Sequence, residues 1–239
     1  MVDFKSYKSI TIPEGSVKKI TSGGVVLWEK ATGRLPSEYQ EVEYIASDNR
    51  YCAIVSDILY DNHTSTGLIV SAKISPFYIA PGENDYNNFC AMYPPAKLWF
   101  GIRNGYYATS QRSNWLKSSV KATVNEIIEI EGRVSADYNG YLKVNGETIL
   151  SGLRNYPDLN FSNAYLFLCG YNYEGNLPSN TGWMGSCYWC VVKDINGNIL
   201  GDFVPCYRKS DGEIGLYNLI TDTFCTKIGT GSFTKGANI

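Results

Sequence analysis

The sequence predicts an all-β protein built as a sandwich of short antiparallel strands, and three observations carry that expectation. The first is composition. Charged residues make up 18% of the 239 residues, against about 25% in an average globular protein. Aromatics reach 14%, with 19 tyrosines, and Asn, Ser, Thr and Gly fill the place of charge, a mixture that favours strands and tight turns over helices. The second is punctuation: short runs of β-branched and aromatic residues alternate with turn signals, and no long segment repeats at the helical period of 3.6. The third is turn chemistry. Asn139-Gly140, Asn145-Gly146 and Asn196-Gly197 read as type I′ hairpin turns, because Asn and Gly tolerate positive φ. At this length roughly 70–75% of the unfolded chain's surface is buried on folding, so one large core needs no metal or disulfide staples.

Taken in order, Ser9-Ile10-Thr11-Ile12 is a short strand ended by Pro13-Glu14-Gly15. Val17 to Ile20 follows, then a Ser22-Gly23-Gly24 turn and the apolar Val25-Val26-Leu27-Trp28. This unit is too short to hold a core of its own. Ala31-Thr32-Gly33-Arg34-Leu35-Pro36 breaks the pattern as a linker, which divides the chain into a small N-terminal β unit, 1–33, and a sandwich, 34–239. Strands are predicted within 67–74, 97–102, 127–131, 141–144, 164–168 and 186–192. Pro81 to Pro95, with Asn84-Asp85-Tyr86-Asn87-Asn88, and Tyr171 to Gly182 read as long surface loops, and Asn104 to Trp115 as loop-like.

Charge and cysteine usage exclude several classes. A net charge of −2 argues against a binder of duplex nucleic acid or a polybasic membrane-surface protein, and no run approaches the ~18 apolar residues of a membrane span. The opening Met1-Val2-Asp3-Phe4-Lys5-Ser6 lacks a basic segment followed by an apolar one, so no secretory leader is expected. Seven cysteines, an odd number without an export signal, predict reduced thiols and no disulfide framework. Cys187-Tyr188-Trp189-Cys190 has the spacing of metal and redox sites, but it lies on a predicted strand. Residues three apart on a strand point to opposite faces, so the two sulfurs are not expected to converge. Cys52, Cys90, Cys169, Cys206 and Cys225 read as small apolar fillers.

Leu35-Pro36-Ser37-Glu38-Tyr39-Gln40-Glu41-Val42-Glu43-Tyr44-Ile45-Ala46-Ser47 resembles the opening of concanavalin A-like, laminin-G-like jelly-roll domains found in gut-bacterial and prophage proteins. Residues 193–200 are similar to that family's penultimate hairpin, Asp202 to Lys209 and Gly212 to Asn218 to its most distinctive segment, and Gly229 to Gly236 to its closing strand. The resemblance covers Leu35 to Gly236. It departs where the family usually shows Asp and this chain has Asn218, and where a Phe-Tyr pair gives way to Phe224-Cys225. Ile10 to Gly15, Val17 to Ile20 and Gly23 to Lys30 resemble short N-terminal units of Gram-positive phage and prophage tail proteins. Together these resemblances imply a jelly-roll β-sandwich preceded by a virion-docking β unit, in a tail protein assembled in the host bacterial cytoplasm. Its implied partners are a bacterial cell-surface glycan and other tail proteins, with homo-oligomers compatible. A structural tail protein with protein contacts only is the alternative.

Some concanavalin A-like folds hydrolyse glycosides, with paired carboxylates on one strand. Glu129 and Glu131 share a strand face, with Glu126 nearby, but the laminarinase-type Glu-x-Asp-x-x-Glu is not completed: Glu131 replaces the Asp and Val134 the second Glu. A solvated strand face opposite buried Ile128 and Ile130 accounts for the pair, and the same holds for Glu41 and Glu43. His63 sits in a polar turn with no Gly-x-Ser-x-Gly elbow anywhere, and no phosphate loop or dinucleotide fingerprint is present. Many laminin-G-like domains hold calcium. Glu83, Asp85 and Asp137 are ligands by type, but no dense acidic loop gathers them. The expectation is therefore no enzyme, no metal and no cofactor.

Binding is better supported. A pyranose needs flat aromatic faces for its C–H side and amide or guanidinium groups for its hydroxyls. Trp99 to Tyr107, followed by Gln111, Arg112, Asn114 and Trp115, supplies both, and so does Tyr171-Asn172-Tyr173-Glu174 through Asn180 and Trp183. Trp99 and Trp183 are assigned to the core. Tyr106, Tyr107, Arg112, Trp115, Tyr171 and Tyr173 are predicted to form one partner-contacting patch on loops.

Overall fold

The computed structural model describes residues 11–12, 15–16, 19–22, 25–29, 34–60, 67–82, 85–93, 98–111, 114–135, 137–153, 164–173 and 175–239. They contain strands and turns and no helix. The chain divides into two compact units, Met1–Pro36 and Ser37–Ile239. In the first, β1 (Thr11–Ile12) pairs with β2 (Gly15–Ser16), and β3 (Lys19–Ser22) pairs with β4 (Val25–Glu29), all antiparallel. Part of the expected linker, residues 31–33, lies outside the described residues.

The second unit is a sandwich of two sheets between which the chain repeatedly crosses. After β5 (Tyr39–Glu41) and β6 (Ile45–Ser47) in the larger sheet, the chain enters the smaller sheet with β7 (Cys52–Tyr60) and returns with β8 (Gly67–Pro76). It next lays down β9 (Asn87–Tyr93), β10 (Leu98–Arg103), β11 (Tyr106–Gln111) and β12 (Asn114–Lys121) in the smaller sheet. The larger sheet then takes β13 (Ile128–Ser135), β14 (Gly140–Val144) and β15 (Glu147–Leu153). The smaller takes β16 (Ala164–Leu168) and β17 (Gly170–Tyr173), and the larger takes β18 (Gly185–Asp194), β19 (Ile199–Arg208), β20 (Ile214–Asn218) and β21 (Thr223–Cys225). Finally β22 (Lys227–Gly229) closes an edge of the smaller sheet and β23 (Thr234–Lys235) pairs with β6. The smaller sheet runs β12-β11-β10-β9-β16-β7-β22, and the larger runs β15-β14-β13-β8-β18-β19-β20-β21. Neighbours are antiparallel except β17, which lies parallel to β9. This is a jelly-roll β-sandwich, the architecture that the strand punctuation and the resemblance predict.

Alternation explains why the strands stay in place. In β13, Ile128, Ile130, Gly132 and Val134 are buried while Glu129, Glu131 and Arg133 face outward. In β8, Leu68, Val70, Ala72 and Ile74 are buried between the sheets. A one-residue slip would put either set in water, so the register is strongly specified. Phe89, Phe100, Phe203 and Trp183 supply the bulk of the core.

The predicted loop from Tyr171 to Gly182 opens as strand β17, with Asn172 buried, and three further expectations are corrected. First, β9 runs through the predicted 81–95 loop, with Phe89, Cys90 and Ala91 at 0% exposure. The Asn pair that signalled a loop is spent on tying loops to the sheet. The buried Asn87 amide donates to the Tyr78 and Met184 carbonyls at 2.7 and 3.0 Å and accepts from the Met184 amide at 2.7 Å. Second, 104–115 is a pair of hairpin strands. Asn104 and Gly105 adopt φ 52° and 77° between paired Arg103 and Tyr106, which makes them a type I′ turn. Asn145 and Gly146 do the same at 49° and 81°, but at Asn139-Gly140 the left-handed residue is Tyr138, and at Asn196-Gly197 only Gly197 is left-handed.

The third correction concerns Cys187 and Cys190. The register passes from Cys187↔Ile74 to Trp189↔Lys73, leaving Tyr188 as an extra residue. That β-bulge resets the alternation, so both thiols are buried at 0% where strict alternation predicts opposite faces. All seven cysteines are free and buried. Among the described residues no group of three or more His, Cys, Asp or Glu is placed to hold a metal ion.

Candidate functional site

The outward face of the smaller sheet carries the site. Along β10, Phe100 and Ile102 point into the core, which sends Trp99 and Arg103 to the other side. Register neighbours share a face, so Ala91 of β9 stands beside Trp99 and Tyr106 of β11 beside Arg103. Trp99, Ala91 and Ala108 form a second apolar cluster, with half-buried Tyr86 and Tyr171 packed on it. Trp99 is only 2% exposed. Its indole N–H donates to the buried Asn88 side-chain oxygen, and Asn88 Nδ2 donates to the Thr181 carbonyl at 2.8 Å.

Polar groups surround these rings. Tyr86 meets Trp99 edge-on, centroids 6.4 Å apart at 87°, and the Arg103 guanidinium lies 5.2 Å over the Tyr86 ring. Lys117 Nζ lies 5.0 Å over the half-buried Tyr106 ring. The Tyr86 segment is pinned from behind: Arg50 pairs with Asp85, donates to the Tyr86 carbonyl at 2.7 Å and stacks 4.8 Å over Tyr78, whose hydroxyl donates to Asp85. The face thus holds aromatic surface fixed between cations, on rigid strands.

Of the predicted patch, Tyr106 and Tyr171 reach this face and are linked through Arg103, Tyr86 and Trp99. Tyr107 does not. It alternates inward from Tyr106, is 2% exposed, and belongs to the main core, which corrects its assignment as a contact ring. Its hydroxyl has no well-formed hydrogen bond. Burial, aided by the Glu126 carboxylate and opposed by the nearby Thr123 backbone, pushes the phenol up to about 12. Arg112 lies outside the described residues, as do the side chains of Trp115 and Tyr173, whose backbones belong to β12 and β17. Trp183 is a ring of the main core, as predicted, whereas Trp99, also buried, belongs to the second cluster on the outward face. Sequence reasoning missed Tyr86 and Lys117, and it placed Arg103 in the aromatic segment without assigning it to the patch. The alternation of β10 carries a signal for Arg103, but nothing marks Tyr86, which folds back from a segment with no period.

The carboxylates weighed for chemistry lie elsewhere. Glu131 accepts from Ser71 Oγ at 3.1 Å, Tyr141 OH at 2.9 Å and Lys143 Nζ at 3.0 Å. Burial pushes its carboxyl up, but these hydrogen bonds and the Lys143 charge outweigh burial, and the net shift is downward. Asp137 is held far below the usual carboxylate range by hydrogen bonds from Ser135 and Asn139, with Arg133 adding its charge. Asp85 is engaged by Arg50. Glu83 and His63 lie outside the described residues. A lowered, three-times-bonded Glu131 is poorly suited to general acid catalysis, which needs a raised pKa.

No family model and no curated protein sequence matches the chain. Solved structures do. A Bacteroides ovatus protein named as a candidate carbohydrate-binding protein superposes with TM-score 0.54 at 10% identity, over 83% of this chain and 62% of that one. This chain therefore spans about three fifths of that protein's length. The heptameric SAP-like pentraxin of Limulus polyphemus superposes with TM-score 0.51 at 12% identity, over 82% of this chain and 95% of that one. At such identities the likeness shows the fold alone, a two-sheet antiparallel β-sandwich.

Proposed function

We propose that this chain is a phage or prophage tail-associated protein whose sandwich binds a bacterial-surface glycan without cleaving it. The observation that carries the binding reading is the face of the smaller sheet, where half-buried Tyr86, Tyr106 and Tyr171 are fixed among Arg103 and Lys117. Rings give a pyranose its apolar contact, and the cations donate to its hydroxyls. The carbohydrate-binding name of one structural neighbour points the same way. The tail assignment rests on the resemblance of residues 10–30 to tail-protein N-termini, and it makes 1–33 the virion-docking part and 34–239 the outward one.

The test is retention of the full chain on purified Gram-positive cell-wall polysaccharides. Tyr171→Ala and Arg103→Ala should each weaken retention by about 10-fold or more, since contact anchors are worth about 1–3 kcal/mol. Absence of binding to any host envelope polysaccharide would sink the adhesin reading and favour a purely structural tail protein. Antibodies to the sandwich that leave phage adsorption unchanged would do the same.

A further inference from the structure

The outward face of the larger sheet presents a second set of rings and polar groups, which the reading above does not use. The bulge at Tyr188 turns Cys187 and Cys190 inward and leaves Tyr188 and Trp189 consecutive and half-buried. Across the strands Trp189 pairs with Lys73, and Lys73 with Glu129. The next row on this face is Val191, Ser71, Glu131 and Lys143. Register neighbours stand about 5 Å apart, so Trp189, Lys73 and Glu129 span roughly 10 Å, the width of one pyranose with its substituents. Tyr188 is fixed beside them, its ring 5.3 Å from that of Tyr44 and 5.6 Å from Lys73 Nζ.

The charges differ in how they are used. Glu131 is saturated by Ser71, Tyr141 and Lys143, and Arg133 is paired with Asp137 at 2.9 Å. Among the described residues neither Lys73 nor Glu129 forms an ion pair, although they are register neighbours. The row beside Trp189 therefore offers one donor and one acceptor of opposite charge, which cancel in net charge and suit hydroxyls better than an ionic ligand. The Glu43 carboxylate, whose charge helps push the Tyr188 phenol up after burial, opposes an anion further.

We propose that this face, centred on Trp189, Tyr188, Lys73 and Glu129, is a second saccharide site and that it takes an uncharged pyranose. The sugar's C–H side lies on the Trp189 ring, one hydroxyl accepts from Lys73 Nζ and another donates to the Glu129 carboxylate. The inference rests on the glycan-binding reading and adds a site and a ligand class to it.

The experiment uses the full chain on immobilised Gram-positive cell-wall polysaccharide, with methyl glucopyranoside, methyl galactopyranoside and glucuronic acid as competitors. In a Tyr171→Ala background, which disables the first face, residual retention should persist. It should be displaced by a neutral methyl glycoside and fall at least 10-fold on adding Lys73→Met or Glu129→Ala. Trp189→Leu should act likewise, and the other two variants, at solvent-facing positions, keep the test valid if Trp189→Leu fails to fold. Loss of all retention in Tyr171→Ala, or no effect of Lys73→Met and Glu129→Ala, overturns the second site and leaves the first standing. Displacement by glucuronic acid alone overturns the uncharged class. No retention by the unaltered chain overturns the glycan reading and this inference with it.

Discussion

Asn218 is fully buried and uses every polar atom of its amide. Its Nδ2 donates to Asp57 at 2.9 and 3.2 Å, and its Oδ1 accepts from the Asp202 and Ile220 amides, both at 3.1 Å. Asp57 also takes the Thr221 hydroxyl and the Cys225 thiol. An Asp here, as in the family that residues 212–218 resemble, would set two carboxylates against each other. Two such groups in contact cannot both ionise, so one pKa rises. Asn218→Asp should therefore cost about 2–4 kcal/mol at pH 7. The sign follows from the raised folded value: the cost is full above it and fades as pH falls toward the unfolded value near 4. Urea denaturation at pH 7 and pH 4.5 checks this, and an equal loss at both would show that charge is not the cause. Tyr107 makes the complementary case. Tyr107→Phe removes a buried hydroxyl without a good partner and should leave stability unchanged or raise it by up to ~1 kcal/mol, whereas Tyr107→Ala opens a core cavity costing about 3–5 kcal/mol. Once 106–111 is a strand, one of Tyr106 and Tyr107 must face inward. Which one depends on the Arg103↔Tyr106 register, set by a turn that composition marks only as loop-like.

At the scale of elements, Gly132 of β13 in the larger sheet faces Phe100 of β10 in the smaller, and a Cβ on Gly132 would overlap the edge of the Phe100 ring. Gly132→Ala should destabilise by about 1–3 kcal/mol through overpacking. Phe100→Leu, itself destabilising, should cost less in the Gly132→Ala background than alone, and a double-mutant cycle on denaturation midpoints measures that coupling. The same strand carries Glu131 outward. Its folded pKa is lowered, so its contribution is present above the unfolded value of about 4.3 and is lost as pH falls through the lower folded value. Glu131→Gln should therefore be less stable than the unaltered chain at pH 7, and the gap should close below roughly pH 4 in a thermal-melt series. β13 was legible because Ile128 and Ile130 alternate with Glu129 and Glu131. β9 was not, because Asn87 and Asn88 look like turn residues until their amides are seen to bind the Tyr78, Met184 and Thr181 carbonyls. The bulge at Tyr188 was equally hidden, since nothing in Cys187-Tyr188-Trp189-Cys190 marks an extra residue, and it is this bulge that brings Tyr188 and Trp189 out together.

For the whole molecule, the fold was readable because local signals repeat along the chain: strand runs and turn residues over some 200 residues leave few architectures other than a sandwich. The site was readable only in part, because a face is assembled from strands distant in sequence. Tyr171 meets Trp99 only through the parallel pairing of β17 with β9. The same assembly scatters seven thiols through both sheets, in β7, β9, β18, β19 and β21 and at Cys169 between β16 and β17. Burial pushes Cys206 and Cys225 up to about 12 and Cys90 higher still. The Cys190 thiol rises by burial too, and Cys169 rises through its hydrogen bond with Cys187 together with burial. The thiolate is the reactive form, so thiols both shielded from water and held protonated should resist an aromatic disulfide reagent at pH 8. The expected outcome is no rapidly reacting thiol in the native protein and seven in denaturant. Native labelling of Cys52, Cys90, Cys169, Cys187, Cys190 and Cys225 should be slow and share one rate, because each requires opening of the common core. Mass spectrometry of partly labelled chains checks this. All-or-none labelling follows from one cooperative sandwich, while early modification of Cys52 or Cys225 alone would show that the β7–β21 edge opens by itself.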